Sequence, residues 1–84
     1  MWQERITIQP DVMGGKPCVR GTRIPVTMIL DLIADDISFH QIIAEYYPQL
    51  VIEDIQACVE YARNVIEIED IQLVSHTKIR IREG

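Results

Sequence analysis

The sequence predicts a mainly α fold, in which three short helices with helix-turn-helix proportions follow a short N-terminal β-hairpin and precede a C-terminal tail. Three observations predict it. Two successive segments repeat apolar residues at the i, i+3, i+4, i+7 spacing of an amphipathic helix, prolines stand where helices should begin or end, and polar and apolar residues alternate near the N-terminus. The 84 residues leave room for one domain with one modest core.

The hairpin is predicted from the segment that precedes the first helix. Residues 4–9 alternate around Ile6 and Ile8, which indicates a short strand. Residues 17–24 run back as a second extended segment after a glycine turn at 14–15. Because two strands alone are marginally stable in water, this hairpin must pack on the helices or on another chain.

The first two helices have recognisable ends. Pro25 suits the first turn of a helix, and residues 35–37 close that helix. Ser38 is a good N-cap for the second helix, Gln41 completes a capping-box pattern, and Pro48 forbids continuation. The buried stripe of the first helix is predicted to be Val26, Ile29, Leu30 and Ile33, and that of the second to be Phe39, Ile42, Ile43 and Tyr46.

A third helix is predicted to begin at about Ile52, after a short connection. Its buried stripe is predicted to comprise Ile52, Ile55, Val59, Ala62 and Ile66. Four polar side chains are predicted to face outward, namely Glu53, Asp54, Gln56 and Glu60. Helices two and three, joined by four residues, then form the helix-turn-helix unit.

The C-terminal tail is the least determined segment. Residues 66–74 fit either a prolonged third helix or an extended segment, whereas residues 78–82 alternate basic and apolar side chains like a partner-seeking strand. The alternative is that residues 78–82 pair with the strand at 4–9. The chain therefore divides into a folded domain at 1–64 and a tail at 65–84.

Charge is distributed unevenly along the chain, whose net charge is −5. Residues 1–23 and 76–84 are net basic, whereas residues 24–75 hold ten acidic side chains against Arg63 alone. Cationic ends and an acidic middle constrain any model of nucleic-acid binding, because acidic surfaces repel phosphates.

Location and redox state follow from local composition. No segment reaches the roughly 20 apolar residues that a membrane helix needs, and Glu4 and Arg5 interrupt the apolar run that a signal peptide would require. We therefore expect a cytoplasmic protein without a membrane partner. In that compartment, Cys18 and Cys58 are expected to be free thiols.

Catalysis and cofactor binding are not expected. The Gly14-Gly15-Lys16 run lacks the remaining residues of a phosphate-binding loop, and His40 and His76 stand alone. The cysteines lack the close pairing of structural zinc sites. The sequence thus predicts a binding protein with no enzymatic activity, cofactor or metal.

A resemblance to a known family lies in residues 14–26, which read GGKPCVRGTRIPV, and continues through residues 47–50 to residues 61–62. These motifs resemble the domain-of-unknown-function 433 family over about residues 5–63. The resemblance implies a homeodomain-like helix-turn-helix fold and a VapB-like antitoxin that pairs with a toxin, typically a PIN-type ribonuclease. One departure is Val51, which stands before the third helix where the family often has a capping Thr or Ser.

The candidate DNA-binding residues are Lys16, Arg20, Arg23, Gln56 and Arg63. The first three lie within eight residues and suit phosphate contacts, but a solvated rim or pairing with acids of the first helix stays open; those acids are Asp31, Asp35 and Asp36. By order the third helix would read bases, yet its acidic outward side would repel phosphates. If DNA is bound, the basic N-terminal segment of a dimer should dominate.

The candidate toxin-binding residues lie in the tail. They comprise apolar residues and two arginines suited to pairing with carboxylates, namely Ile66, Ile68, Ile71, Leu73, Val74, Ile79, Arg80 and Arg82. The leading hypothesis is an antitoxin that binds its toxin and, as a homodimer, represses their shared promoter. Two alternatives stay open, a stand-alone helix-turn-helix regulator and a protein-interaction adaptor that binds no DNA.

Overall fold

The computed structural model describes the backbone of residues 1–77 and the side chains of residues 1–68. Within this part, the elements are β1 (Ile6–Thr7), β2 (Cys18–Val19), α1 (Val26–Ala34), α2 (Phe39–Gln41), which continues into a π-helical turn (Ile42–Tyr46), and α3 (Ile52–Thr77). Two 3-10 turns lie at Trp2–Glu4 and Met13–Gly15. The prediction of a mainly helical fold with three helices and a small N-terminal sheet is confirmed.

The sheet is an antiparallel pair, in which Ile6 lies opposite Val19 and Thr7 opposite Cys18. The predicted hairpin therefore exists, but it is much shorter than the two segments from which it was predicted. Of the two isoleucines in the predicted strand, Ile6 is buried, whereas Ile8 is 56% exposed. Strand β1 ends at Thr7, so Ile8 lies beyond the paired residues of the sheet.

The core is a single cluster to which each helical segment contributes one fully buried isoleucine. These are Ile29 of α1, Ile42 of the π-helical turn and Ile55 of α3, each 0% exposed. The sheet adds Ile6 and Val19 to the same cluster. The predicted stripe of α1 is confirmed, since its four residues are buried or half-buried in this core.

Helix α2 begins with the predicted capping box. The Gln41 N–H donates to Ser38 Oγ at 3.1 Å, and the Ser38 N–H donates to Gln41 Oε1 at 3.2 Å. The last turn is π-helical, because the Tyr47 N–H donates to the Ile42 carbonyl at 2.8 Å. Tyr46 was predicted to be buried and is 46% exposed. The wider turn rotates it away from the stripe that a regular α-helix would produce.

Helix α3 begins at the predicted residue, but part of its predicted buried stripe is wrong. Val59 is 40% exposed and Ile66 is 58% exposed, whereas Ala57 and Cys58 are buried. The buried side of α3 is therefore rotated away from Val59 and Ile66 and towards Ala57 and Cys58. Those two exposed residues form a second apolar edge that the core does not use.

The start of α3 depends on Asp54, which was predicted to face outward. Its Oδ1 accepts from Arg5 Nη1 at 3.0 Å, and its Oδ2 accepts from the Val51 N–H at 3.0 Å. Its side chain is only 15% exposed. Val51 has no capping side chain, so the carboxylate one turn later provides the reciprocal half of a capping box. This contact also connects α3 to the N-terminal segment.

Replacing Asp54 with Ala is expected to lower the free energy of unfolding by about 1 kcal/mol, because it removes an ion pair and a favourable charge at a helix N-terminus. Urea denaturation followed by circular dichroism measures the change. Glu53→Ala is the matched control, since it removes a neighbouring acidic side chain that is exposed. Equal losses in the two variants would contradict the assigned role of Asp54.

The structure also describes both cysteines and the lengths of the helices. Cys18 and Cys58 are free thiols, and both are buried. Within residues 1–77, no helix has the length and apolar character needed to span a membrane.

Candidate protein-binding surface

An apolar groove lies between the first turns of α1 and the middle of α3, and has a volume of about 440 Å³. Its walls are formed by Lys16, Pro17, Val26, Thr27, Leu30, Tyr61, Ala62, Val65 and Ile66. Lys16 is the one charged side chain among these lining residues. We refer to this surface as the apolar groove.

The groove arises from local sequence on both helices. On α1, Val26 is buried in the core, while Leu30, one turn later, is half-buried and borders the groove. On α3, Tyr61 and Val65 are one turn apart, and the small Ala62 leaves room beside them.

The position of Tyr61 is fixed from its other side. The ring of Trp2 packs edge-on against it, with the ring centroids 5.0 Å apart and the ring planes at 72°. Such edge-to-face pairs are favourable beyond the area that they bury. The N-terminal 3-10 turn therefore supports one wall of the groove.

Helix α3 continues beyond the groove as an extension that comprises residues 66–77. Ile66 at its start is 58% exposed and lines the groove, and Ile68 is 48% exposed. Two residues along an α-helix are about 200° apart, so these isoleucines lie on different sides of the helix. The extension thus presents apolar surface in two directions as it leaves the core.

Most of this chain is similar to known proteins. The family model described as "Protein of unknown function (DUF433)" matches residues 6–62. The chain belongs to the DUF433 family. The family that the sequence resembles is therefore confirmed. The match ends at Ala62, so Val65 and Ile66 of the groove and the α3 extension lie outside it.

A solved structure of another DUF433 member agrees with this assignment, and one curated protein is similar in sequence. A crystal structure of a DUF433 member from Anabaena variabilis aligns with a TM-score of 0.70 and 32% identity, covering 86% of this chain and 70% of that one. The uncharacterized protein y4eO of Sinorhizobium fredii is 38% identical over 60 residues, which are 71% of this chain. This chain spans only 27% of the length of that relative.

The structure places some of the predicted toxin-binding residues of this DUF433 chain. Ile66 and Ile68 are exposed, as that role requires. The segment 66–74, for which helical and extended conformations were both open, is helical. Its backbone carries Ile71, Leu73 and Val74. The remaining candidates Ile79, Arg80 and Arg82 lie outside the described residues, as does the alternative pairing of residues 78–82 with the N-terminal strand.

The predicted DNA-binding residues are all exposed but do not form one site. Lys16 borders the apolar groove, whereas Arg20 and Arg23 line a separate cleft. Gln56 and Arg63 lie on α3, where Glu53 and Glu60 are also exposed. Among the ion pairs of the described residues, none joins the N-terminal cations to Asp31, Asp35 or Asp36.

The groove itself was missed by sequence reasoning, which assigned Val26, Leu30 and Ala62 to the core of the DUF433 domain and did not place Tyr61 or Val65. One signal was present. The apolar residues of α3 cover more of its circumference than one packed face requires, because Val59 and Ile66 continue a line beside the packed residues. Such a second apolar edge indicates contact with something outside the core.

Proposed function

We propose that this chain is the antitoxin of a type II toxin–antitoxin system, and that it neutralises a PIN-type ribonuclease by binding it directly. The observation that supports the proposal is the apolar groove, whose wall continues into the exposed Ile66 of α3. A groove of this kind suits an amphipathic segment of another protein, which would place its apolar side chains against these walls.

The size of the apolar surface supports a protein partner. Fully burying an isoleucine side chain contributes about 1.5–3 kcal/mol, and Ile66 is more than half exposed before any partner binds. Tyr61, held by Trp2, offers a rigid aromatic wall at low entropic cost. Such contacts suit the central anchors of a larger interface.

The charge of α3 favours protein binding over insertion of this helix into DNA. Glu53 and Glu60 are exposed on the helix that would read bases in a homeodomain-like arrangement. Carboxylates facing phosphates are repelled, and only a few side chains on that helix suit base contacts. The stand-alone regulator is therefore the weaker alternative. The adaptor that binds protein but no DNA differs from an antitoxin in its partner, which would not be a ribonuclease.

The proposal extends to a homodimer that represses the promoter of its own operon and to a homeodomain-like arrangement of the helices. It also places the protein in the cytoplasm, where such a ribonuclease acts. These parts rest on the family resemblance, whereas toxin binding also has the support of the groove.

The direct test is neutralisation of a PIN-type ribonuclease from the adjacent reading frame. Co-expression with this chain should restore growth, and the two proteins should co-purify. Ile66→Asp is expected to weaken the complex at least about tenfold, because it places a charge against apolar walls. Ile8→Asp is the matched control, since Ile8 is 56% exposed and lies outside the groove.

The contribution of the tail is tested separately. Removal of residues 75–84 is expected to abolish inhibition of the toxin while the helical core stays folded. Full neutralisation by both the truncated chain and the Ile66→Asp variant would contradict the proposal. Failure of the wild-type chain to bind or inhibit any ribonuclease of its operon would favour one of the two alternatives.

A further inference from the structure

A second cleft, away from the apolar groove, is lined by two arginines and has a volume of about 380 Å³. Thr7, Gln9, Gly21 and Thr22 complete most of its lining, and none of its lining residues is acidic. We refer to it as the basic cleft. It shares no lining residue with the apolar groove.

The turn that carries both arginines is rigid. The Thr22 N–H donates to the Val19 carbonyl at 3.0 Å, and Thr22 Oγ1 donates to the same carbonyl at 2.8 Å. The Ile24 N–H donates to Thr22 Oγ1 at 3.0 Å. Gly21, with a φ of +79°, occupies the left-handed conformation that a type II turn requires at this position. The backbone beneath the basic cleft is therefore fixed before any ligand binds.

The side chain of Arg20 is also held in place. Its Nε donates to the Glu4 carbonyl at 2.8 Å, and its Nη2 donates to the Gln3 carbonyl at 3.3 Å. A guanidinium group has five N–H donors, so three remain for a ligand. Within the described residues, Arg23 forms neither an ion pair nor a side-chain hydrogen bond that would occupy its guanidinium. The cleft thus combines one oriented cation with one available cation.

We propose that the basic cleft binds a phosphate oxyanion, supplied either by the backbone of duplex DNA or as free phosphate. The planar donors of arginine match phosphate geometry, and a tetrahedral phosphate offers oxygens to two guanidinium groups that approach from different directions. For DNA, each neutralised phosphate also releases counterions, which adds affinity even though the protein has a net charge of −5.

This site deepens the promoter-binding part of the proposed function and rests on it only for the DNA source of the phosphate. Because acidic side chains are exposed on α3 and absent from the lining of the cleft, phosphate contact is expected here rather than on that helix. Toxin binding is tested through Ile66 and the tail, so failure of either proposal can be recognised without the other.

The test measures fluorescence anisotropy of a labelled random-sequence duplex over a range of salt concentrations. Arg23→Gln is expected to weaken binding about fivefold or more at low salt, and to reduce the slope of log affinity against log salt by about one. Arg23→Lys is the matched control, because it keeps the positive charge in the cleft. It is expected to leave the salt slope unchanged and to lose less affinity than Arg23→Gln. Circular dichroism confirms that both variants are folded.

Nuclear magnetic resonance distinguishes the sources of phosphate. Titration with the duplex, or with inorganic phosphate alone, is expected to shift the amide signals of Gly21 and Thr22. Shifts with inorganic phosphate and no binding of duplex would assign the cleft to free phosphate. Equal losses of affinity and of salt slope in Arg23→Gln and Arg23→Lys, competition by polyglutamate as strong as that by duplex, or unshifted amides in both titrations would each overturn the proposal.

Discussion

Replacing Ile55 with Ala is expected to remove most of the stability of the fold. Ile55 is 0% exposed and lies in the cluster where all the helical segments meet. Truncating a buried isoleucine to alanine costs about 2–5 kcal/mol, because transfer free energy is lost and a cavity is left. A single core of this size usually contributes only about 3–5 kcal/mol of net stability. Urea denaturation should therefore show a much lower midpoint, or no folded baseline.

The control for this experiment is Val59→Ala, one turn further along the same helix. Val59 was predicted from the sequence to share the buried stripe with Ile55, but it is 40% exposed. Its truncation is expected to cost less than about 1 kcal/mol, as is usual for surface substitutions. Comparable losses in the two variants would show that α3 packs on the line that the sequence predicted.

The second large effect is a loss of stability at alkaline pH. Burial raises the pKa of the Cys58 thiol from its ordinary value of 9.0 to about 12, and the nearby Asp54 carboxylate adds to the increase. Between these values the folded protein keeps a proton that the unfolded chain releases. The contribution of Cys58 is therefore fully present below pH 9 and is lost as the pH rises towards 12.

The size of this effect is limited by the pKa difference, at about 1.4 kcal/mol per unit and so about 4 kcal/mol in all. The free energy of unfolding, measured in urea at several pH values, should fall more steeply above pH 9 in the wild-type protein than in Cys58→Ala. The two proteins share every other titratable group, so the difference between the curves reports on Cys58. Parallel curves would contradict the prediction.

Sequence reasoning was most successful where structure is determined by neighbouring residues. The start of α2 depends on contacts between Ser38 and Gln41, three residues apart, and the capping box was predicted correctly. Pro48 likewise ends its helix by local sterics. The buried face of α1 was also predicted correctly, since Val26 and Ile29 lie in the core at the spacing of one helical face.

The errors occurred where distant parts of the chain decide the outcome. Tyr46 is exposed because a π-helical turn replaces regular α-helix, and no residue pattern announced that turn. Helix α3 has apolar residues on two sides, and only its packing against α1 and the N-terminal segment selects one of them. The pairing of Asp54 with Arg5 spans 49 residues of sequence and could not be inferred from local periodicity.

The candidate sites show the same division. Exposed isoleucines in the tail and a basic N-terminal segment were identified from composition and spacing. The groove and the cleft, however, are shapes produced by tertiary packing. Lys16 was grouped with Arg20 and Arg23 because they are close in sequence, and the fold separates them by directing Lys16 towards the groove. The residue types of the candidate sites were therefore easier to predict than the shapes of the surfaces that they form.

The boundary at residue 62, where the family match ends within an unbroken helix, has an evolutionary consequence. Substitutions at Ile66 or Ile68 change an exposed surface and have little effect on the free energy of unfolding of the domain. Under the proposed function, the choice of protein partner could therefore change through substitutions in this segment, while the fold of the preceding residues stays the same.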